Sequence, residues 1–405
     1  MSAETSFLPI CIILNTLERR FVRTLVLTST FYRALEANLN ARIVSPKAFR
    51  PELLTFVHRP RLIKAIHPIS NSGESRLLDL LSHIFFSYDI SRDPYFLSIS
   101  ETDEDLRRRI KTTRKTYCQE QLKKLYTSAE RILQQLGAYA ANLYIATCVN
   151  RFLDAARNTT QQVLKPSLED LEMIHVVEIL NQIKPHFPDI NEDRSLDLVA
   201  PGLMAGLSSK VEHLVKILHD EWSPTFTGLI FVQERAVVQI LVRILSTHPT
   251  IMAKFQVEGY VGTSSNPRKR KRMAELAEPK SQLSTLSDFR AGKINLLVTT
   301  AVLEEGIDVP TCHIVVCFDK PTTLKSYIQR RGRARQKDSK YVMMFPYGDP
   351  SLDGDAWMRL EEEMETAYLS HERAVKQAQQ REAVVEQQQR IFETPKYALF
   401  FARAL

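Results

Sequence analysis

Residues 327–335 read YIQRRGRAR, four arginines set around Gly332. Guanidinium groups are almost never buried without partners, and their planar, permanently charged forks meet phosphate oxygens two at a time, which lysine cannot do. The string suits a triphosphate or a phosphodiester backbone; its alternative is a network of ion pairs inside the protein. A second string, VTTAVLEEGIDVP at 298–310, ends an apolar run with the hydroxyls of Thr299 and Thr300, turns at Gly306 and presents the carboxylate of Asp308.

Short apolar runs position these groups. Leu296–Thr300, Ile314–Phe318 and Tyr341–Phe345 are rich in Val, Leu, Ile and Phe and hardly alternate, as parallel strands buried on both faces do. In an open parallel sheet a ligand lies beyond the carboxyl ends of the strands, which is where both strings fall. Around 202–345 the order strand, helix, strand recurs with short connections, so a doubly wound α/β lobe is expected, with Gly228–Val232 as its first clear strand.

VTTAVLEEGIDVP and YIQRRGRAR resemble motifs V and VI of superfamily 2 helicases, and GLIFVQER at 228–235 resembles motif IV, in the family's order. The form Gln-Arg-Arg-Gly-Arg-Ala-Arg after LEEGIDVP is most similar to the helicase region of fungal-type Dicer-like ribonucleases and of related innate-immune RNA sensors. LEANLNARIVSPKAFRPELLTFVHRP at 35–60 is similar to the segment by which such helicases leave their first RecA-like lobe. The resemblance implies an α/β RecA-like helicase C-terminal lobe, a parallel sheet with helices on both faces, plus an all-α insertion bundle and a C-terminal helical arm. The organisation it implies is 1–74 as the end of a first helicase lobe, 75–200 as the insertion, 201–350 as the RecA-like lobe and 351–405 as the pincer arm.

It implies site roles as well. Arg333 resembles the finger that reaches the γ-phosphate, Arg335 its second guanidinium, and Gln329 a residue linking nucleotide and lobe, while Gly306 and Asp308 would bridge ATP and RNA. Thr299 and Thr300 would donate to a phosphate or to the 2′-OH that separates RNA from DNA, against the plainer role of strand-end capping. The loop GTSSNPRKRKRMAELAEPKS at 262–281 is polar and carries consecutive bases from Arg268 to Arg272, a surface loop that is either disordered or turned toward nucleic acid. Gly262, Thr263, Arg268, Lys269 and Arg270 are its candidate RNA contacts; a nuclear-localisation string is the lesser reading.

The 405 residues, 44% hydrophobic, can bury more than one core, and the net charge of +7 is compatible with a polyanionic partner without requiring one. Five cysteines, odd in number and without metal-ligand spacing, argue against a disulfide framework and for a reducing cytoplasmic or nuclear compartment. FLPICIILNTL at 7–17 is too short to span a bilayer and lacks the features of a secretory signal, so no membrane association is expected. The first residues fit the family poorly, with Leu27-Thr28-Ser29 where an intact lobe would carry Leu-Thr-Ala-Ser, as a truncated or mis-joined reading frame would.

Before residue 200 the only glycines are Gly73 and Gly137, so the front of the chain is expected to be helical. One long helix is expected from Ser100-Glu101-Thr102-Asp103 to Leu136, a second from Ala138 to Leu164, and a third, capped by Ser167–Asp170, from Leu171 to Ile183. Arg107, Arg108, Arg109, Lys111, Arg114 and Lys115 cover several faces of the first, as on a solvated helix; the resemblance adds the option of RNA contact. Asp355–Thr394, without Gly or Pro, should be one long helix or a helical hairpin.

A nucleotide-driven motor also needs a Gly-x-x-x-x-Gly-Lys-Ser/Thr cradle and an acidic metal-holding motif. The sequence holds neither. Ala291-Gly292-Lys293-Ile294 reads as a turn into a strand, and Asp103-Glu104-Asp105-Leu106 as a helix start whose carboxylates complement the helix N-terminus. No histidine pairs with a serine or cysteine in a nucleophile motif, and no ribonuclease III carboxylate signature occurs. ATP is the expected cofactor, with Mg held by a lobe outside this chain, and no metal site or other small-molecule substrate is expected. The resemblance points to the RNA-binding helicase C-terminal region of a Dicer-like endoribonuclease of RNA silencing and antiviral defence. It would act on double-stranded RNA, with a first helicase lobe or a dsRNA-binding protein as partner. The alternative is a non-hydrolysing RNA- or protein-binding module derived from such a helicase. A DNA-repair helicase, which would carry Gly-Arg-Thr-Gly-Arg, fits least.

Overall fold

The computed structural model describes residues 58–69, 73–160, 166–187, 206–262, 282–304, 307–352 and 356–369. Six parallel strands form one sheet in the order β1-β6-β5-β2-β4-β3. They are β1 (Arg61–His67), β2 (Gly228–Phe231), β3 (Val257–Tyr260), β4 (Leu296–Thr299), β5 (Ile314–Cys317) and β6 (Lys340–Pro346). Every residue of β2, β4 and β5 is buried, so the unalternating runs are strands covered on both faces. Each fully buried Leu, Val or Ile in them contributes about 1.5–3 kcal/mol of apolar burial.

β1 is an edge strand that pairs with β6 from Arg61↔Lys340 to His67↔Pro346. Residues 61–67, assigned from the sequence to the end of a first lobe, thus contribute a strand to this sheet. Their pairing partner lies near the other end of the chain, which local pattern cannot reveal.

Helices α1 (Arg76–Phe86), α2 (Pro94–Ser98), α3 (Glu104–Thr113), α4 (Tyr117–Leu136), α5 (Ala138–Thr160) and α6 (Leu168–Leu180) form a bundle whose core is continuous with that of the sheet. Asp103 caps α3 by accepting from Leu106 N at 3.1 Å, so the acidic string opens a helix as expected. The single helix expected over 104–136 is instead two. Arg114 adopts a left-handed conformation (φ 52°), and Thr116 caps α4 while donating its hydroxyl to Asp93 at 2.6 Å. Asp93 is fully buried and also accepts from Tyr88 Oη at 2.6 Å and Tyr95 N at 3.0 Å. A carboxylate taken out of water must be saturated with donors, and drawing Thr116 to Asp93 breaks the helix. The third helix starts at Leu168, three residues before expectation, because Ser167 and Asp170 close a capping box around its first turn.

α7 (Ser209–Asp220) and α8 (Arg235–Thr247) join bundle to sheet. Ser208 donates to the carbonyls of Leu136 and Gln135, and Arg131 of α4 reaches Glu234 at 2.7 Å. Gly137 (φ +99°) sits where a Cβ would lie 2.2 Å from Gly206 O, so this junction tolerates no side chain. α9 (Pro249–Met252) and α10 (Gln282–Arg290) flank β3, and Gly292 (φ +74°) makes the turn from α10 toward β4.

Pro60–Lys320 with Asp338–Asp349 make one compact unit. A second contains Pro321–Lys337 and the chain from Pro350, with α11 (Leu324–Arg331) and α12 (Ala356–Leu369). Residues of the expected arm beyond 369 lie outside the described residues.

Candidate nucleotide and nucleic-acid interface

In the first unit the strands end on a common rim. Where β2 runs toward α8, Asp319, just beyond β5, accepts from Gln233 N at 2.8 Å and from Lys210 Nζ at 3.1 Å. Lys210 Nζ also lies 3.8 Å over the Phe318 ring. Burial pulls the Lys210 ammonium below its ordinary pKa, and the Asp319 carboxylate works against that pull. This pair fixes the turn from β2 into α8 at the point where strand order reverses, between β2 and β5.

α8 begins at that turn without a side-chain cap, since the Glu234 carboxylate is drawn to Arg131. Its leading N–H groups and dipole favour an anion. Arg235 is the first helical residue and is exposed, a cation at the end of a helix where the dipole opposes it. A Cβ on Gly262, just after β3, would come within 3.9 Å of Arg235 Nη2 and 3.1 Å of Val302 Cγ2. Arg235 and Gly262 therefore stand side by side, with Val302, just beyond β4, next to Gly262. The signal for Arg235 in the sequence was its place at the end of GLIFVQER, and it was missed.

Of the two threonines, Thr299 is buried with its hydroxyl donating to Thr300 O at 3.2 Å, whereas Thr300 is half-buried at the strand end. Thr300 is thus the one placed to reach a ligand. Asp308 is exposed, and its carbonyl is held by Arg290 through Nε at 3.2 Å and Nη2 at 2.6 Å. Gly306, Thr263, Arg268, Lys269 and Arg270 lie outside the described residues.

In the second unit, Thr323 caps α11 through Ser326 N at 3.1 Å, and Gly332 closes it with a 2.8 Å bond to Ile328 O. Arg335 folds back so that Nε donates to Gly332 O at 2.6 Å, where a cation suits the helix C-terminus. Arg333 is half-buried one residue beyond the helix cap. Gln329 is buried, and both atoms of its carboxamide lack a hydrogen-bond partner. A buried amide left unpaired costs about 1–3 kcal/mol, and Gln329 shares that condition with atoms of His67, Gln119, Gln135 and Ser339.

No helix among the described residues is long and apolar enough to cross a membrane. A six-stranded parallel sheet with helices around it is the architecture of a RecA-like helicase C-terminal lobe. The family described as Helicase conserved C-terminal domain matches residues 209–337.

Curated relatives narrow the class. The chain is 37% identical over 381 residues to Dicer-like protein 2 of Phaeosphaeria nodorum, covering 92% of this chain and 27% of that protein. It is also 37% identical to Dicer-like protein 2 of Aspergillus oryzae, covering 87% of this chain and 25% of that one. The chain is a Dicer-like helicase C-terminal region, and it spans about a quarter of the length of these relatives. Among solved structures, the Pyrococcus furiosus Hef helicase domain aligns at a TM-score of 0.36 and 18% identity, covering 75% of this chain and 59% of that one.

Proposed function

We propose that the chain is the part of a Dicer-like endoribonuclease of RNA silencing that grips double-stranded RNA and completes, from one side, a site for ATP. The observation that carries this reading is Gln329, buried with an unpartnered carboxamide one turn before Arg333. That pairing suits a nucleotide: the amide can meet polar edges, while Arg333 and Arg335 offer planar charge to phosphate oxygens. When bound, ATP would supply the phosphoryl group whose loss drives the motor. The chain's own residues would orient it and balance charge at its terminal phosphate. Arg235, Gly262 and Thr300, on the strand rim, would bear on the RNA backbone, where phosphate contacts position the duplex.

Because the sequence has no phosphate cradle, the purified chain should not hydrolyse ATP. Fused behind a RecA-like first helicase lobe, it should give RNA-stimulated hydrolysis that Arg333→Ala lowers by about 10³-fold or more. A fusion that hydrolyses equally well without Arg333 would sink the reading.

A further inference from the structure

Arg331 belongs to the arginine string, yet it is turned to another helix. Its Nη1 donates to Glu361 Oε2 at 2.6 Å and its Nη2 to Glu361 Oε1, a two-pronged ion pair with α12. Both side chains are mostly buried, at 19% and 15% exposed, so this pair is not one of the solvated surface bridges that contribute little. One turn earlier on α11, Tyr327 stacks on Trp357 of α12, ring centres 5.9 Å apart and planes 11° from parallel. The Arg331 guanidinium carbon lies 5.2 Å over the Tyr327 ring. Tyr327 and Arg331 are four apart on α11, as Trp357 and Glu361 are on α12, so each helix presents one face with two contacts.

α11 has eight residues, too few to hold a helix by itself, so packing must set its direction. We propose that Arg331, together with Glu361, Tyr327 and Trp357, is a latch that positions the Gln329–Arg335 string by clamping α11 to α12. Arg331 is then a positioning residue and not a phosphate ligand, and the first helix of the arm is part of the frame of the site. Gln329 and Arg333 stand two residues to either side of it. Releasing the latch frees the last turn of α11, which otherwise ends in the Gly332 and Arg335 bonds. The consequence for phosphate rests on the function proposed above; the latch itself does not.

The test uses the full chain with Trp222→Phe, which leaves Trp357 as its one tryptophan. Arg331→Ala and Glu361→Ala should each shift Trp357 emission to longer wavelength and speed hydrogen exchange over 327–335 by about tenfold or more, leaving β2, β4 and β5 unchanged. Exchanging the charges, Arg331→Glu with Glu361→Arg, should recover both signals. Unchanged exchange at 327–335, or faster exchange throughout the sheet, overturns the latch. Titration with inorganic tripolyphosphate separates the two ideas. Weaker binding in both Arg333→Ala and Arg331→Ala, restored by the charge exchange, supports positioning. Weaker binding in Arg333→Ala alone overturns it. Loss in neither variant contradicts the nucleotide reading and leaves the latch to the exchange result.

Discussion

The turn that presents Arg235 hangs on one carboxylate, and Asp319→Ala removes it. Lys210, only 15% exposed at its side chain, then keeps a charge with no counter-ion, and Gln233 N loses its acceptor. Stripping one partner from a buried pair costs about 3–5 kcal/mol, a large share of the roughly 5–15 kcal/mol by which domains are stable. At about 2–4 °C per kcal/mol, the midpoint of thermal unfolding followed by circular dichroism should fall by about 6–20 °C. Lys210→Met with Asp319→Leu should lose far less, about 1–3 kcal/mol, because no charge is stranded and only the Gln233 N–H goes unmet. pH supplies the signature. Burial already lowers the Lys210 pKa, and without Asp319 nothing opposes it, so between the folded value and 10.5 the unfolded variant binds more protons than the folded one. Stability therefore rises with pH in that window, and the gap to the parent chain should narrow from pH 7 to pH 10. A loss under about 1 kcal/mol, or a gap indifferent to pH, refutes the reasoning.

Three more outcomes follow from other parts of the molecule. Asp93→Ala should cost about 2–4 kcal/mol in urea unfolding, since it strands the hydroxyls of Tyr88 and Thr116, and an unchanged midpoint would show the network is idle. His67, His213, His248 and His313 are all held below the ordinary histidine range by burial, and His313 Nδ1 must stay unprotonated to accept from Thr227 N at 3.1 Å. Below 6.5 the unfolded chain takes up more protons, so stability should be steady above that pH and fall from pH 6.5 toward 5; a melting temperature that holds or rises on acidification contradicts this. Arg235→Ala should weaken duplex RNA binding and lower the slope of log K against log salt by about 1, whereas an unchanged slope would remove Arg235 from the interface.

What could be read from the sequence was what local chemistry decides. β2, β4 and β5 announce themselves because both faces are buried, and Asp103 and Ser167 because a helix start needs a side-chain acceptor close by. The break at Arg114 was hidden because its cause, Asp93, lies in another segment, and β1 because its partner β6 does. The arginine string stands out in the sequence by residue type alone, and its phosphate role belongs to the function proposed above. That Arg331 is spent on Glu361 and that Gln329 is buried without a partner depend on tertiary packing, which no motif records.

Binding of duplex RNA through phosphate and 2′-OH contacts is the part of the proposed function that reaches furthest. Its most direct test is to titrate the full chain with one sequence as duplex RNA and as duplex DNA at several salt concentrations. Tighter binding to RNA, with affinity falling linearly in log K against log salt, is the predicted result. Equal affinity for both duplexes, or no binding at low salt, would contradict it.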